Sequence, residues 1–307
     1  MSTTLNVQSY YSGKEAGAII GQSFKEASTL QKNLINVYEN VNFKLNLRKI
    51  SYVDGSKPFS CDFTPEGEID MSEKFIAPLK FKNDLLVCKE EFRKTWSEDL
   101  EGASAWNINL ASDIETAITI EVLKAHAEKI DNEIWNGDNS VDPNQMDGFV
   151  KQFVADADVI KPDGGAVVTK DNVLDTLMLC LEATPVAVRT SADLKIVVSA
   201  NVYQAYNFYL VSQGVINGLG GANMPVTFAG YELEQVNGLA DNTIIIYKRD
   251  NLVFATGLLG DHNELKTSDE DQIGLLSGNV RFRMVWNGAT GYYNSEDIVY
   301  YVSAVAP

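Results

Sequence analysis

The chain has 307 residues, 25 Lys+Arg against 42 Asp+Glu, and a formal charge of −17. Its apolar share of 45% is that of a globular protein with ample core, and the scattered Cys61, Cys88 and Cys180 do not form a disulfide framework. So acidic a chain is a poor coat for nucleic acid, no apolar run approaches the roughly 18 residues of a membrane span, and the first residues lack the basic-then-apolar pattern of a signal peptide.

The spacing of Ala16, Ile19, Ile20, Phe24, Ala27, Leu30, Leu34 and Val37 predicts a helix over 13–40. Residues 1–60 are net basic, through Lys14, Lys25, Lys32, Lys44, Arg48, Lys49 and Lys57, while the rest is acidic. A basic arm of this kind can pair with the acidic body of a neighbouring copy, or the asymmetry is chance in a short stretch. Residues 43–80 read as an extended, two-stranded excursion. Phe43, Leu45 and Leu47 alternate with polar residues, Asp54-Gly55 marks a turn, and Phe59, Cys61 and Phe63 alternate again before Pro65-Glu66-Gly67 and Pro78. Such a hairpin has little apolar content of its own and is marginal alone in water, so it must lie on its own body or on another subunit.

The strongest helix spans 112–136, opened by a capping box of Ser112 and Glu115 and closed near Asn136-Gly137. Ile114, Ile118, Val122 and Ala125 form one stripe; Ile120, Leu123, Ala127, Ile130 and Ile134 form another on nearly the opposite face. The helix is therefore expected to be covered from two sides. A polar loop runs from Asp138 to Gly148. A helix over 170–183, with Val173, Leu174, Leu177, Met178 and Leu181 inward, precedes a strand at Leu194–Val198 and a helix from Ser199. Glycines 214, 218, 220 and 221 mark a loop. Strands are expected at Val226–Glu234, Thr243–Tyr247, Leu252–Ala255, Val280–Trp286 and Ile298–Val302. The order is α+β, without the regular alternation of a doubly wound sheet.

No catalytic, cofactor or metal constellation emerges. His126 reads as a solvated or interface residue on the long helix. His262 with Asp261, Glu264, Asp269, Glu270 and Asp271 lacks a calcium-loop pattern, as do Asp138, Asp142 and Asp147. Gly218-x-Gly220 lacks the third glycine and the preceding strand of a dinucleotide fingerprint. Cys180 reads as a buried small hydrophobe; Cys61 and Cys88 are possible neighbours across the excursion without a supporting redox motif.

An arm, a lateral hairpin, a two-faced long helix and no active site together resemble the major capsid proteins of tailed bacteriophages with the Hong Kong 97 fold. Three stretches are similar to those of phages of Bacteroidetes hosts, crAss-like relatives included. They are Cys61-Asp62-Phe63-Thr64-Pro65-Glu66-Gly67 with Pro78 and Leu86-Val87-Cys88-Lys89; Ile134-Trp135-Asn136-Gly137-Asp138 with Asp147-Gly148-Phe149; and Asn251-Leu252-Val253-Phe254-Ala255-Thr256-Gly257 with Asp261-His262-Asn263-Glu264. The resemblance implies an N-terminal arm at 1–42, an E-loop at 43–82 and a P domain at 83–185 with its spine helix at 112–136. It further implies an A domain at 186–278 and return strands at 279–307. It implies a non-enzymatic subunit that assembles as pentamers and hexamers into a virion shell around double-stranded DNA, with portal and scaffold or decoration proteins as partners and no membrane. Lys44, Arg48, Lys49, Asp54, Gly55 and Lys57 are the expected intersubunit contacts. An encapsulin-like nanocompartment shell and a phage connector or tail protein are the alternatives.

Overall fold

The computed structural model describes residues 28–41, 43–59, 61, 65–88, 112–163, 167–214, 226–257, 266–271, 274 and 277–303, with the backbone alone described for 28, 31, 112–119 and 121. The arm before 28, the Ser112–Glu115 capping box, the glycines after Gly214 and the text around His262 lie outside this description.

The first described element is a short helix, α1 (Ser28–Gln31). Asn33 takes φ 53, and the N–H groups of Asn33 and Leu34 donate to the carbonyls of Leu30 and Thr29, each at 3.1 Å. This is the left-handed stop that asparagine tolerates better than most residues. The helix expected to reach 40 therefore ends here, and Asn36–Tyr38 forms strand β1, parallel to β9 (Leu252–Thr256). Leu34 and Ile35, adjacent in sequence, are both buried. Tertiary burial has overridden the helical spacing of the text.

Strand β11 (Asn279–Tyr292) organises the first sheet. Strand β4 (Leu79–Cys88) runs antiparallel along one edge, from Gly288 opposite Leu79 to Asn279 opposite Cys88. On the other edge β10 (Lys266–Asp269) and β9 take successive stretches. The long helix α2 (Ser112–Asn136) contributes Leu123, Ile130, Ile134 and Trp135 to the core on this sheet, against Phe282, Met284 and Trp286. One of its two expected stripes is thus the core stripe, except that Ile120 is exposed; on the other, Val122 is half-buried and Ala125 exposed. His126, expected at a solvated or interface position, is buried instead, its ring 5.5 Å from that of Trp286.

The second sheet has the order β12-β8-β5-β7-β6, with β5 at Leu194–Val198, β6 at Thr227–Phe228, β7 at Tyr231–Gln235, β8 at Thr243–Lys248 and β12 at Val299–Val302. Strands β5 and β7 are parallel, joined through a crossover that includes the helix Ala200–Ser212. The single strand expected at Val226–Glu234 is a tight hairpin, because Ala229 (φ 51) and Gly230 (φ 89) both turn left-handed. This sheet is buried on both faces. Val197, Ile245, Tyr247 and Tyr300 face the core of α2, while Ile196, Val198, Ile244, Ile246 and Tyr301 face a second core with the helix Val173–Ala183. Strand pairing thus runs across the segment boundaries expected from sequence. Of the strands in 186–278, β5 to β8 make one sheet and β9 and β10 join the other, while in 279–307 β11 and β12 part in the same way.

The text Trp135-Asn136-Gly137 with Asp147-Gly148-Phe149 has a packing reason. The N–H of Gly148 donates to the carbonyl of Gly137 at 2.7 Å. A Cβ on Gly137 would overlap the Met146 carbonyl, and one on Gly148 the Trp135 carbonyl. Gly137 serves this close approach; its φ is not left-handed. The loop thereby closes on the end of α2 and stacks Phe149 and Phe153 beside Trp135, with ring centroids 5.4 Å apart for Trp135–Phe149. The indole N–H of Trp135 donates to Thr29 Oγ1 at 2.7 Å, and the N–H of Thr29 donates to Asp131 Oδ1 at 2.9 Å, so α1 is fixed to the same place.

Candidate assembly surface

Between β1 and β4 the chain leaves the body as a hairpin. Its strands are β2 (Leu45–Val53) and β3 (Glu68–Ile76), in register from Leu45 opposite Ile76 to Val53 opposite Glu68. The second strand expected near Phe59 lies further on. Asp54-Gly55 opens a wide loop where a tight turn was expected, because the Asp54 carboxylate accepts from both the N–H and the hydroxyl of Ser56.

Directly opposed residues share a face. The inner face carries Leu45, Leu47 and Lys49 with Ile76, Lys74 and Ser72. Leu47 and Ile76 are buried in a small cluster with Val253, Ala255 and Ala289. A Cβ on Gly291 would overlap the Ile76 side chain, so the hairpin root seats directly against this glycine. Lys49 Nζ donates to Asn294 Oδ1 at 2.7 Å, and Lys74 Nζ stands 3.3 Å from the centre of the Tyr292 ring, a cation–π contact. The outer face carries Ile50, Tyr52, Ile69, Met71 and Phe75, between 59 and 67% exposed. Ile50 faces Met71 and Tyr52 faces Ile69, so these four form one continuous apolar strip, and Phe59 in the distal loop is 95% exposed. Full burial of each large apolar side chain is worth about 1.5–3 kcal/mol, and contiguous exposed apolar surface marks a place for a partner.

The six contact residues expected from sequence all lie on the hairpin, and each is engaged within its own chain. Arg48 pairs with Glu73 across the strands at 3.0 Å, and Lys57 with Glu66 at 3.3 Å. Lys44 lies 5.9 Å from the centre of the Phe75 ring, Lys49 holds Asn294, Asp54 holds Ser56, and Gly55 sits where a Cβ would overlap the backbone of Gly67. Lys32 of the arm pairs with Glu234 at 2.9 Å. Exposed pairs of this kind contribute at most about 1 kcal/mol. The contacts expected from sequence are mainly charged residues and do not include the apolar strip. Its signal was present as the period-two run of Ile69, Met71 and Phe75 with Ile50 and Tyr52.

Among the described residues no group of three or more His, Cys, Asp or Glu is placed to hold a metal ion, and no helix is long and apolar enough to cross a membrane. The three cysteines are free thiols, Cys61 exposed and Cys88 half-buried, and burial pushes the Cys180 thiol up to about 12. The outer face of the first sheet carries Arg283 bonded to Asp84, which also holds Lys82; the two cations lower the Asp84 carboxyl to about 2. Glu270 is bound by Ser277 and Arg281, which hold its carboxyl below the usual range.

No protein-family model matches the chain, and no curated protein matches its sequence. Solved structures do. A chain of Gordonia phage Cozz superposes with a TM-score of 0.60 at 12% identity, covering 91% of this chain and 87% of that one. The capsid of Myoviridae phage XM1 gives 0.59 at 12%, over 90% and 92%. A virus-like particle from Pyrococcus furiosus gives 0.54 at 11%, over 94% and 98%. The likeness spans nearly the whole of each chain, and the fold it establishes is the Hong Kong 97-type capsid fold.

Proposed function

We propose that the chain is a structural shell subunit without catalytic activity, the major capsid protein of a tailed bacteriophage. It assembles as pentamers and hexamers into a closed virion shell around double-stranded DNA, working with a portal and with scaffold or decoration proteins. The observation that carries this reading is the hairpin: a ribbon whose outer apolar face stays exposed in the single chain. The capsid fold supports it independently. In this reading 1–42 is the arm, 43–82 the E-loop, 83–185 the P domain, 186–278 the A domain and 279–307 the return strands. Kinship with phages of Bacteroidetes hosts belongs to the same proposal.

The E-loop lies on the adjacent subunit through Ile50, Tyr52, Ile69, Met71 and Phe75, with Lys44 and Arg48 at its margin and Asp54, Gly55 and Lys57 shaping its tip. A heterologous contact of this kind, repeated around five- and sixfold axes, closes a shell. An acidic chain of net charge −17 suits an inner wall that encloses DNA without gripping phosphate.

The test is the solution mass of the purified full chain by light scattering, with negative-stain imaging, alone and with co-expressed scaffold. Closed shells or rings of five or six support the proposal; a monomer or dimer under both conditions contradicts it. The second reading is an encapsulin-like nanocompartment shell, which the same fold accommodates. Nuclease-resistant DNA inside particles purified from infected cells supports the capsid; a bound protein cargo without DNA supports the compartment.

A further inference from the structure

The two faces of the hairpin are reversed from those of a ribbon folded onto its own core. Past Leu47 and Ile76 the inner face is polar and the apolar strip looks away from the subunit. A free ribbon with this pattern gains by swinging over and laying the strip on its own body. Something must oppose that swing.

The contacts that do so form a ladder. Three residues of the hairpin's inner face, Ile76, Lys74 and Lys49, meet three positions of one short body segment, Gly291, Tyr292 and Asn294. Lys74 lies opposite Leu47 and Lys49 opposite Ser72, so the two ammonium groups sit one step of the inner face apart. Their receptors are likewise two residues apart on the body. Three separate points fix an angle, where a single point would leave a swivel.

The body side of the ladder is rigid. Asn251, buried, donates from its side-chain amide to the Asn294 carbonyl and accepts from the Asn294 N–H, both at 2.7 Å. Tyr293 shares a hydroxyl–hydroxyl bond of 2.9 Å with Tyr38, and its N–H donates to the Asn251 carbonyl. The Tyr292 hydroxyl donates to Asp156 Oδ2 at 2.6 Å, which sets the ring that Lys74 covers and places a carboxylate behind it. Burial lowers the Lys74 ammonium while Asp156 opposes that shift. Beyond this ladder the pairs Ser51–Asp70 and Val53–Glu68 are exposed.

We propose that Lys49 and Lys74 are positioning residues: with the corner Gly291–Asn294 they hold the hairpin at one angle and present its apolar face to a second copy of this chain. The part concerning the second copy rests on the shell reading above. The two lysines set direction. They add little to the folding of the subunit, whose cores lie elsewhere.

The experiment uses the full chain with Cys61 and Cys88 replaced by serine and spin labels at Ser56→Cys in the hairpin loop and Val141→Cys on the body. Pulsed electron–electron resonance reads the distance distribution in unassembled subunits, and light scattering reads shell formation from the same samples. With both lysines present the distribution is expected to be narrow. In the Lys49→Met/Lys74→Met double variant it is expected to at least double in width, with shell formation slowed about tenfold and the thermal midpoint little changed. Lys74→Arg with Lys49 kept, which leaves a cation over the ring, is expected to retain the narrow distribution. An unchanged distribution in the double variant overturns the proposal, and so does a broad one in the parent. A broadened distribution with undiminished shell yield supports the bracket and counts against the hairpin as the assembly element. A narrow parent distribution with no shells under any condition counts against the shell reading alone.

Discussion

Strands β5 and β8 and strands β2 and β3 are antiparallel pairs that end in opposite surroundings. Thr243–Tyr247 is buried without interruption, because one face of that sheet meets the core of α2 and the other meets the helix Val173–Ala183. Glu68–Phe75 is exposed without interruption, and its described contacts with the body run through Lys74 and, beyond it, the buried root at Ile76. A sheet closed on both faces reads as a continuous apolar run and stabilises its own subunit. The ribbon is seated on the body at the root of its inner face, through Leu47, Ile76, Lys49 and Lys74, while its outer face leaves an apolar strip exposed. The comparison separates residues that hold the chain's own cores together from apolar residues that stay exposed on the hairpin.

That separation is open to attack by substitution, and the effects on subunit stability rank in a definite order. Trp135→Ala empties the centre of the first core and strands the Thr29 hydroxyl; it is expected to cost about 3–5 kcal/mol in urea unfolding. Gly148→Ala drives a methyl group into the Trp135 carbonyl and is expected to cost about 1–3 kcal/mol, with the loop 137–148 losing hydrogen-exchange protection first. Glu133 sharpens the picture through pH. Burial holds its carboxyl above the usual value against the pull of Lys129, so the folded chain favours the protonated form. Its contribution is therefore full below the unfolded value of about 4.3 and is lost as pH rises through the higher folded value. Glu133→Gln is expected to raise stability at pH 7 and to flatten the decline between pH 4 and 7, read by urea midpoints.

The smallest effect on the subunit comes from the hairpin. Ile50→Ser with Met71→Ser removes two exposed side chains and is expected to change subunit stability by less than about 0.5 kcal/mol. The same double variant is expected to raise the concentration needed for assembly about tenfold or more, since each 1.4 kcal/mol of lost contact is a factor of ten. A variant that melts early, or that assembles normally, breaks the division between the two strand pairs.

Much of this division was legible in the residues. The α2 helix, the strands Leu194–Val198 and Leu252–Thr256, and the existence of a lateral hairpin are carried by periodicity that tertiary contacts reinforce. The β1 strand was not legible, because Leu34 and Val37 keep a helical spacing that Asn33 interrupts with one backbone angle. Nor was the hairpin's far strand, because Asp54-Gly55 carries a tight-turn signature yet opens a loop held by Ser56. His126 was misplaced because its aromatic partner Trp286 lies far along the chain. On the hairpin, the expected contact residues Arg48 and Lys49 have partners in the same chain, while the apolar strip becomes visible only once register pairs Ile50 with Met71.

The most direct test of the central claim is oxidative footprinting of the apolar strip in isolated subunits and in assembled particles. Hydroxyl radicals modify Tyr52, Met71 and Phe75 according to their exposure, and buried Tyr247 serves as the internal reference. The account expects all three to react readily in the subunit and to be protected several-fold on assembly, with Tyr247 protected in both states. Equal reactivity of Tyr52, Met71 and Phe75 in subunit and particle contradicts it.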